Sequence, residues 1–185
     1  MTLSDTDNIK ITVSDKDNFD TLRLNPEFQS LRIPMGEYYM SLSKRPGWLR
    51  LYGRSGLSSK FSQSLLARRW TDFSFDVSTK MEFEPEVFKQ MAGLILMYDT
   101  DNYLYLHVSH DEEIGKCISI LRAENKIYSY PVGFQPLEKG KALILKASVR
   151  KEKCQFYYGY EEEDMKKLGE EFATGFLSED RKSVV

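Results

Sequence analysis

Residues 92–98 read Ala92-Gly93-Leu94-Ile95-Leu96-Met97-Tyr98, residues 99–102 read Asp99-Thr100-Asp101-Asn102, and residues 103–108 read Tyr103-Leu104-Tyr105-Leu106-His107-Val108. The first run is apolar throughout, as expected of a strand covered on both faces. The middle four are turn formers, whose short polar side chains bond nearby backbone. The third run returns to the aromatic and branched residues that suit a pleated surface. Together the three predict a β-hairpin. The same rhythm continues on either side. Trp48-Leu49-Arg50-Leu51-Tyr52 alternates and is broken by Gly53-Arg54-Ser55-Gly56, residues 61–67 mix apolar and polar side chains, and Phe73, Phe75 and Val77 fall on one face of a clean alternation. Further runs at residues 117–121, 127–130, 142–149 and 155–160 follow at the spacing of an all-β sandwich.

Two segments depart from that rhythm. Residues 1–16 are polar, with weak alternation at Ile9, Ile11 and Val13, and read as a tail, a linker or an edge strand. Near the end, Met165, Leu168 and Phe172 carry the spacing of a short amphipathic helix. No internal repeat or low-complexity tract is present.

Composition bounds the function. The chain has 185 residues, and 26 Lys+Arg against 28 Asp+Glu leave a net charge of −2, which argues against a nucleic-acid partner. Hydrophobic residues make up 41% and charged residues 29%, as in a folded soluble domain. The length suits one domain and excludes a barrel or propeller with a second domain attached. The aromatic share, 13%, strengthens the β prediction. Residues 1–10 lack the basic and apolar regions of a secretory signal, and the apolar run 91–97 is too short to cross a bilayer as a helix. No membrane association is expected. Cys117 and Cys154 lie inside strand-like runs and read as buried thiols of a reducing, cytoplasmic setting.

Several groups are candidates for chemistry. Glu82, Glu84 and Glu86 stand two apart and would share one face of a strand, the equipment of glycoside hydrolysis. Pro85 removes a ladder donor in their midst, which favours a solvated loop. His107 and His110, three apart, are expected on opposite faces, so they form no metal pair. The acidic runs 111–113 and 161–164 read as solvated turns. Asp17-Asn18-Phe19-Asp20 offers hard oxygen ligands for a structural calcium, given further ligands from a distant strand. Tyr38, Tyr39, Tyr103, Tyr105, Tyr128 and Tyr130 are candidates for stacking on sugar rings.

The motifs also resemble a known family. Leu31-Arg32-Ile33-Pro34, the run 48–54, Leu57-Ser58-Ser59, Gln63-Ser64, Ala67-Arg68-Arg69-Trp70, Phe83-Glu84-Pro85 and the run 88–94 are similar to the C-terminal domain of family 43 β-xylosidases. The runs 98–103, 110–112 and 156–160 continue the likeness in order, so that it covers residues 17–180. The resemblance implies a concanavalin A-like jelly-roll of two antiparallel sheets, with residues 1–16 and 181–185 as tails. It also implies that this domain is not the catalytic one, since the family's catalytic carboxylates reside in a five-bladed propeller. The chain alone is therefore expected to be inactive, a non-catalytic accessory domain whose partner is that propeller. In the family a loop aromatic and a last strand follow a segment like Leu177-Ser178-Glu179-Asp180. Arg181-Lys182-Ser183-Val184-Val185 matches neither, so the sandwich is expected to lack its last strand and a calcium at Asp17 and Asp20 to lack its opposing ligand. An exposed sheet edge then invites a homodimer by strand addition. Arg68, Arg69, Trp70, Phe88 and Gln90 are the groups expected to support or touch the propeller. The second reading is a stand-alone carbohydrate-binding module for xylan-type oligosaccharides.

Overall fold

The computed structural model describes residues 16–178, and these divide between Arg69 and Trp70 into two compact units. Residues 1–15, with Ile9, Ile11 and Val13, and residues 179–185, with the tail assigned to 181–185, lie outside the described residues.

The first unit is built of turns and short pairings. Strands β1 (Gln29–Ser30), β2 (Met40–Ser41), β3 (Arg50–Leu51) and β4 (Leu66–Ala67) pair antiparallel as β1 with β4 and β2 with β3. The strand-like runs at 48–52 and 61–67 thus shrink to two residues each. Its first turn is set by Asp17, whose Oδ1 accepts the Phe19 N–H at 2.8 Å and whose Oδ2 accepts the Asn25 N–H at 3.1 Å. That clasp holds Phe19 at φ 57°, a left-handed conformation that a non-glycine residue adopts only when its surroundings enforce it.

The second unit holds the sandwich. One sheet consists of β6 (Ala92–Asp99), β7 (Asn102–Asp111), β8 (Gly115–Glu124) and β9 (Ile127–Pro136) in sequence order. The other runs β12 (Lys166–Ala173), β11 (Lys153–Gly159), β10 (Leu143–Arg150), β5 (Ser74–Met81), and every pairing in both is antiparallel. The expected hairpin across residues 99–102 joins β6 to β7, with the Asp99 carboxylate accepting the Asp101 N–H and the Asn102 side-chain amide, both at 2.9 Å. Gly93 allows β6 to approach β7 closely: a Cβ there would sit 2.0 Å from the Leu106 carbonyl oxygen.

Period-two alternation sends Leu104, Leu106, Val108, Ile118 and Ile120 from one sheet, and Leu143, Leu145, Val149, Cys154 and Phe156 from the other, into a shared core. A short 3₁₀ turn, Gly175–Leu177, adds Phe176 and Leu177 to it. Both cysteines are buried and free.

The helix expected around Met165, Leu168 and Phe172 is instead β12. A spacing of four serves one face of a strand as well as one face of a helix, and here Leu168 and Phe172 lie opposite Phe156 and Cys154 in the core. Gly169, at φ 68°, lets the strand bulge, and Gln155 Nε2 donates to the carbonyls of Leu168 and Gly169 at 3.4 and 3.2 Å. A Cβ at Gly169 would stand 2.6 Å from Val132 Cγ2 on β9. No helix of the described residues is long and apolar enough to cross a membrane.

Candidate functional site

The glutamate triplet lies in the loop after β5, not on a strand. Glu84 reaches the buried Lys116 on β8, whose Nζ donates to Oε1 at 2.6 Å, and the same oxygen accepts the Gly140 N–H at 2.9 Å. Desolvation pulls the Glu84 pKa upward, but the Lys116 hydrogen bond, the Gly140 N–H and the Lys116 charge outweigh it and leave the group below its usual value. Such a carboxylate stays ionised and clasps the sheet to the loop. The Gln90 side chain fixes that loop from its other end by accepting the Glu86 N–H at 2.7 Å.

Concave space gathers elsewhere, on the outward side of β7 and β9. A cavity of about 200 Å³ is floored by His107, Ser109 and Asp111 and walled by Tyr130 and Phe134, with Phe88, Met91 and His110 around it. The alternation that turns Leu104, Leu106 and Val108 inward turns Tyr103, Tyr105, His107 and Ser109 outward. Two register shifts in β8–β9 help bring Tyr130 and Phe134 over them. The rings form a ladder: Tyr105 stacks on His107 at 5.2 Å, His107 lies 6.0 Å from Tyr130, and Tyr130 lies 5.4 Å from Phe134. His107 Nδ1 stands 3.2 Å from the Tyr105 carbonyl oxygen. Since a carbonyl only accepts, Nδ1 carries the proton and Nε2 keeps a lone pair. Burial, only partly countered by that hydrogen bond, lowers the His107 pKa to about 4, so the ring is neutral at pH 7. Asp111 Oδ1 accepts the N–H groups of Glu113 and Ile114 at 2.9 and 3.1 Å, which keeps the carboxyl ionised. Ser109 Oγ donates to the Phe88 carbonyl at 2.8 Å.

Sequence reasoning located some of these groups and misplaced others. His107 and His110, expected on opposite faces, line one cavity at the end of β7, although no set of three metal-ligating side chains forms among the described residues. Of the six tyrosines expected to be exposed, Tyr38, Tyr128 and Tyr130 are about half exposed. Tyr39, Tyr103 and Tyr105 are buried at 0%, 2% and 8% exposure. Burial, with lesser contributions from Tyr128, Tyr130 and Asp101, raises the Tyr103 pKa to about 12. No pattern in the sequence marks Phe134, Met91 or Asp111 as site residues. Phe134 was legible only with the bulges of β9 in hand.

The calcium candidates do not gather a ligand set. Both Asp17 oxygens accept backbone N–H groups, Asp20 is exposed, and no third His, Cys, Asp or Glu side chain joins them among the described residues. The groups expected to dock or support a partner divide. Arg68 forms an ion pair with Glu27 and lies over the Phe28 ring, within the first unit. Arg69 is exposed, Trp70 is partly exposed and packs edge-on against Phe75 at 5.1 Å, and the Phe88 ring is largely open to solvent.

Residues 16–184 match the family described as beta xylosidase C-terminal concanavalin A-like domain. The chain is 36% identical over 171 residues to a beta-xylosidase of Bacillus subtilis, covering 91% of this chain and 32% of that protein. It is 34% identical over 163 residues to xylosidase/arabinosidase 43B of Humicola insolens, covering 85% and 30% respectively. Among solved structures, the xylan beta-1,4-xylosidase of Bacillus halodurans superposes with a TM-score of 0.86 at 39% identity, over 89% of this chain and 32% of that one. The chain thus spans about a third or less of the length of the curated relatives it matches.

Proposed function

The chain belongs to the family of beta xylosidase C-terminal concanavalin A-like domains, and from that premise we propose that it is the non-catalytic accessory sandwich of a β-xylosidase/α-arabinofuranosidase-like glycoside hydrolase, partner to a catalytic propeller. The observation that carries this reading is coverage: nearly the whole chain matches, against about a third of the Bacillus subtilis and Bacillus halodurans proteins. Glu84 supports it, because its carboxylate is committed to Lys116 and the Gly140 N–H. Trp70, Phe88 and Arg69 present surface to the propeller, while Arg68 and Gln90 support their own loops. The two buried, free thiols favour a reducing, cytoplasmic setting. A homodimer through β9 has less in its favour, since Pro131 and two register shifts blunt that edge.

A fusion tests the reading. The chain is joined to the catalytic part of the Bacillus subtilis beta-xylosidase in place of that enzyme's own C-terminal domain, and hydrolysis of a chromogenic xyloside is measured. The chain alone is expected to release nothing, and the fusion to exceed the catalytic part alone at least about tenfold, or about 1.4 kcal/mol of transition-state stabilisation. Trp70→Ala in the fusion should remove part of that gain. Turnover by the isolated chain, or a fusion no better than the catalytic part alone, overturns the assignment.

A further inference from the structure

Phe88, one of the groups assigned to the propeller contact, also lines the cavity over β7, but that contact gives no use to the other groups around it, whose chemistry is that of a ligand site. Its floor presents acceptors. His107 is buried and lines the cavity, and because its Nδ1–H is committed to the Tyr105 carbonyl, its other ring nitrogen, Nε2, is an acceptor. Asp111 is held by two backbone N–H groups on Oδ1, which leaves Oδ2 as a fixed second acceptor. The walls carry rings: Tyr130 and Phe134 are 51% and 40% exposed, stand 5.4 Å apart, and both line the cavity. Acceptors below and aromatic faces beside them call for a ligand with hydroxyl donors and a C–H face. The ionised Asp111 disfavours an anion, and a volume of about 200 Å³ accommodates one sugar ring.

We propose that this cavity binds one neutral sugar ring, a xylopyranosyl unit, with its C–H face on Tyr130 and Phe134 and its hydroxyls donating to His107 Nε2 and Asp111 Oδ2. The neutral-sugar chemistry rests on the cavity alone; the choice of xylose rests on the xylosidase kinship. Binding is read on the isolated chain, so its failure leaves the fusion assay standing.

The full chain is titrated with xylose, xylobiose and glucuronate by calorimetry and amide NMR, each variant first checked by thermal melting. A single ring with two acceptors and two stacking faces is expected to bind with a Kd on the order of 1 mM. Xylobiose should bind about as tightly as xylose, and glucuronate at least about tenfold more weakly. Tyr130→Ala and Phe134→Ala should each weaken xylose about tenfold or more. Tyr157→Ala, on the opposite sheet, should leave it unchanged. Phe134→Leu, which keeps the apolar bulk, should lose less than Phe134→Ala. The proposal is overturned by no saturable signal up to about 50 mM, by Tyr130→Ala binding as the parent does, by equal loss in Tyr157→Ala, or by glucuronate binding as well as xylose.

Discussion

On β10 the residues between the core-facing Leu143, Leu145, Ala147 and Val149 are Ile144, Lys146 and Ser148, with Arg150 beyond them; on β7 the residues beside Leu104, Leu106 and Val108 are Tyr103, Tyr105, His107 and Ser109. Both strands obey the same alternation, and their inner faces meet in one core. Their outer faces part company. On the first sheet's counterpart, Asp76 of β5 draws in Ser148 Oγ at 2.7 Å, Arg150 Nη2 at 2.9 Å and Lys146 Nζ at 3.4 Å, a network open to water. On β7, seven consecutive residues from Tyr103 to Ser109 are buried. A strand buried on both faces of an antiparallel sheet is unusual, because one face is commonly solvated. The contrast teaches that alternation assigns a side chain to a face but leaves open whether the outer face is wet.

The sharpest break of that contrast is a tyrosine truncated on each face. Tyr105 lies within the aromatic ladder at 8% exposure, and Tyr105→Ala is expected to cost about 3–5 kcal/mol, as for a buried aromatic. Tyr157 is half-buried, with Lys146 Nζ 6.0 Å from its ring centroid, and Tyr157→Ala should cost under about 1 kcal/mol. Urea unfolding midpoints at a common slope decide it. Equal losses would mean that the two outer faces differ in composition but not in energy.

Acid separates the faces next. His107 takes a proton at about 4 when folded and near 6.5 when unfolded, so the unfolded chain binds it first as pH falls. Stability is whole above pH 6.5 and drains between 6.5 and 4, by roughly 3 kcal/mol across the window. On the charged face the Ser148 hydrogen bond leads the groups that hold Asp76 below its usual 3.8, outweighing desolvation. That contribution is present above pH 3.8 and is lost only below it. Unfolding free energies from pH 7 to 4 should therefore report mainly the aromatic face, and His107→Gln should flatten the slope. An unchanged slope in that variant would assign the loss to other groups.

How much of this was legible in the sequence follows from the same physics. The long strands were readable because Phe75 and Val77, or Leu104, Leu106 and Val108, repeat every second residue over enough length to be distinctive. The strand at 166–173 was not, because Leu168 and Phe172 fit both periods and the bulge at Gly169 hides the choice. The cavity was partly visible. Tyr130 and His107 stand out as residue types, but the register shifts between β8 and β9, where Tyr130 comes beside His107 and Phe134 beside Tyr130, leave no mark in composition. Counting by twos puts His107 and His110 on opposite faces, and it fails where a strand ends at a turn such as Asp111 to Ile114.

The smallest effect belongs to the charged face, and its size tests the reason for the contrast. Asp76 is nearly half exposed, so its ion pairs with Lys146 and Arg150 act through water and compete with solvation. Asp76→Asn keeps an acceptor for Ser148 and removes the charge, and is expected to cost about 0.5 kcal/mol at low salt. In about 1 M salt the Debye length shrinks to about 3 Å and the difference should fall toward zero. Tyr105→Ala should lose as much at either ionic strength, since burial of an apolar ring is not screened. A salt-insensitive Asp76→Asn would show that the charged face, too, is energetically dry, and the distinction between the sheets would then rest on residue type alone.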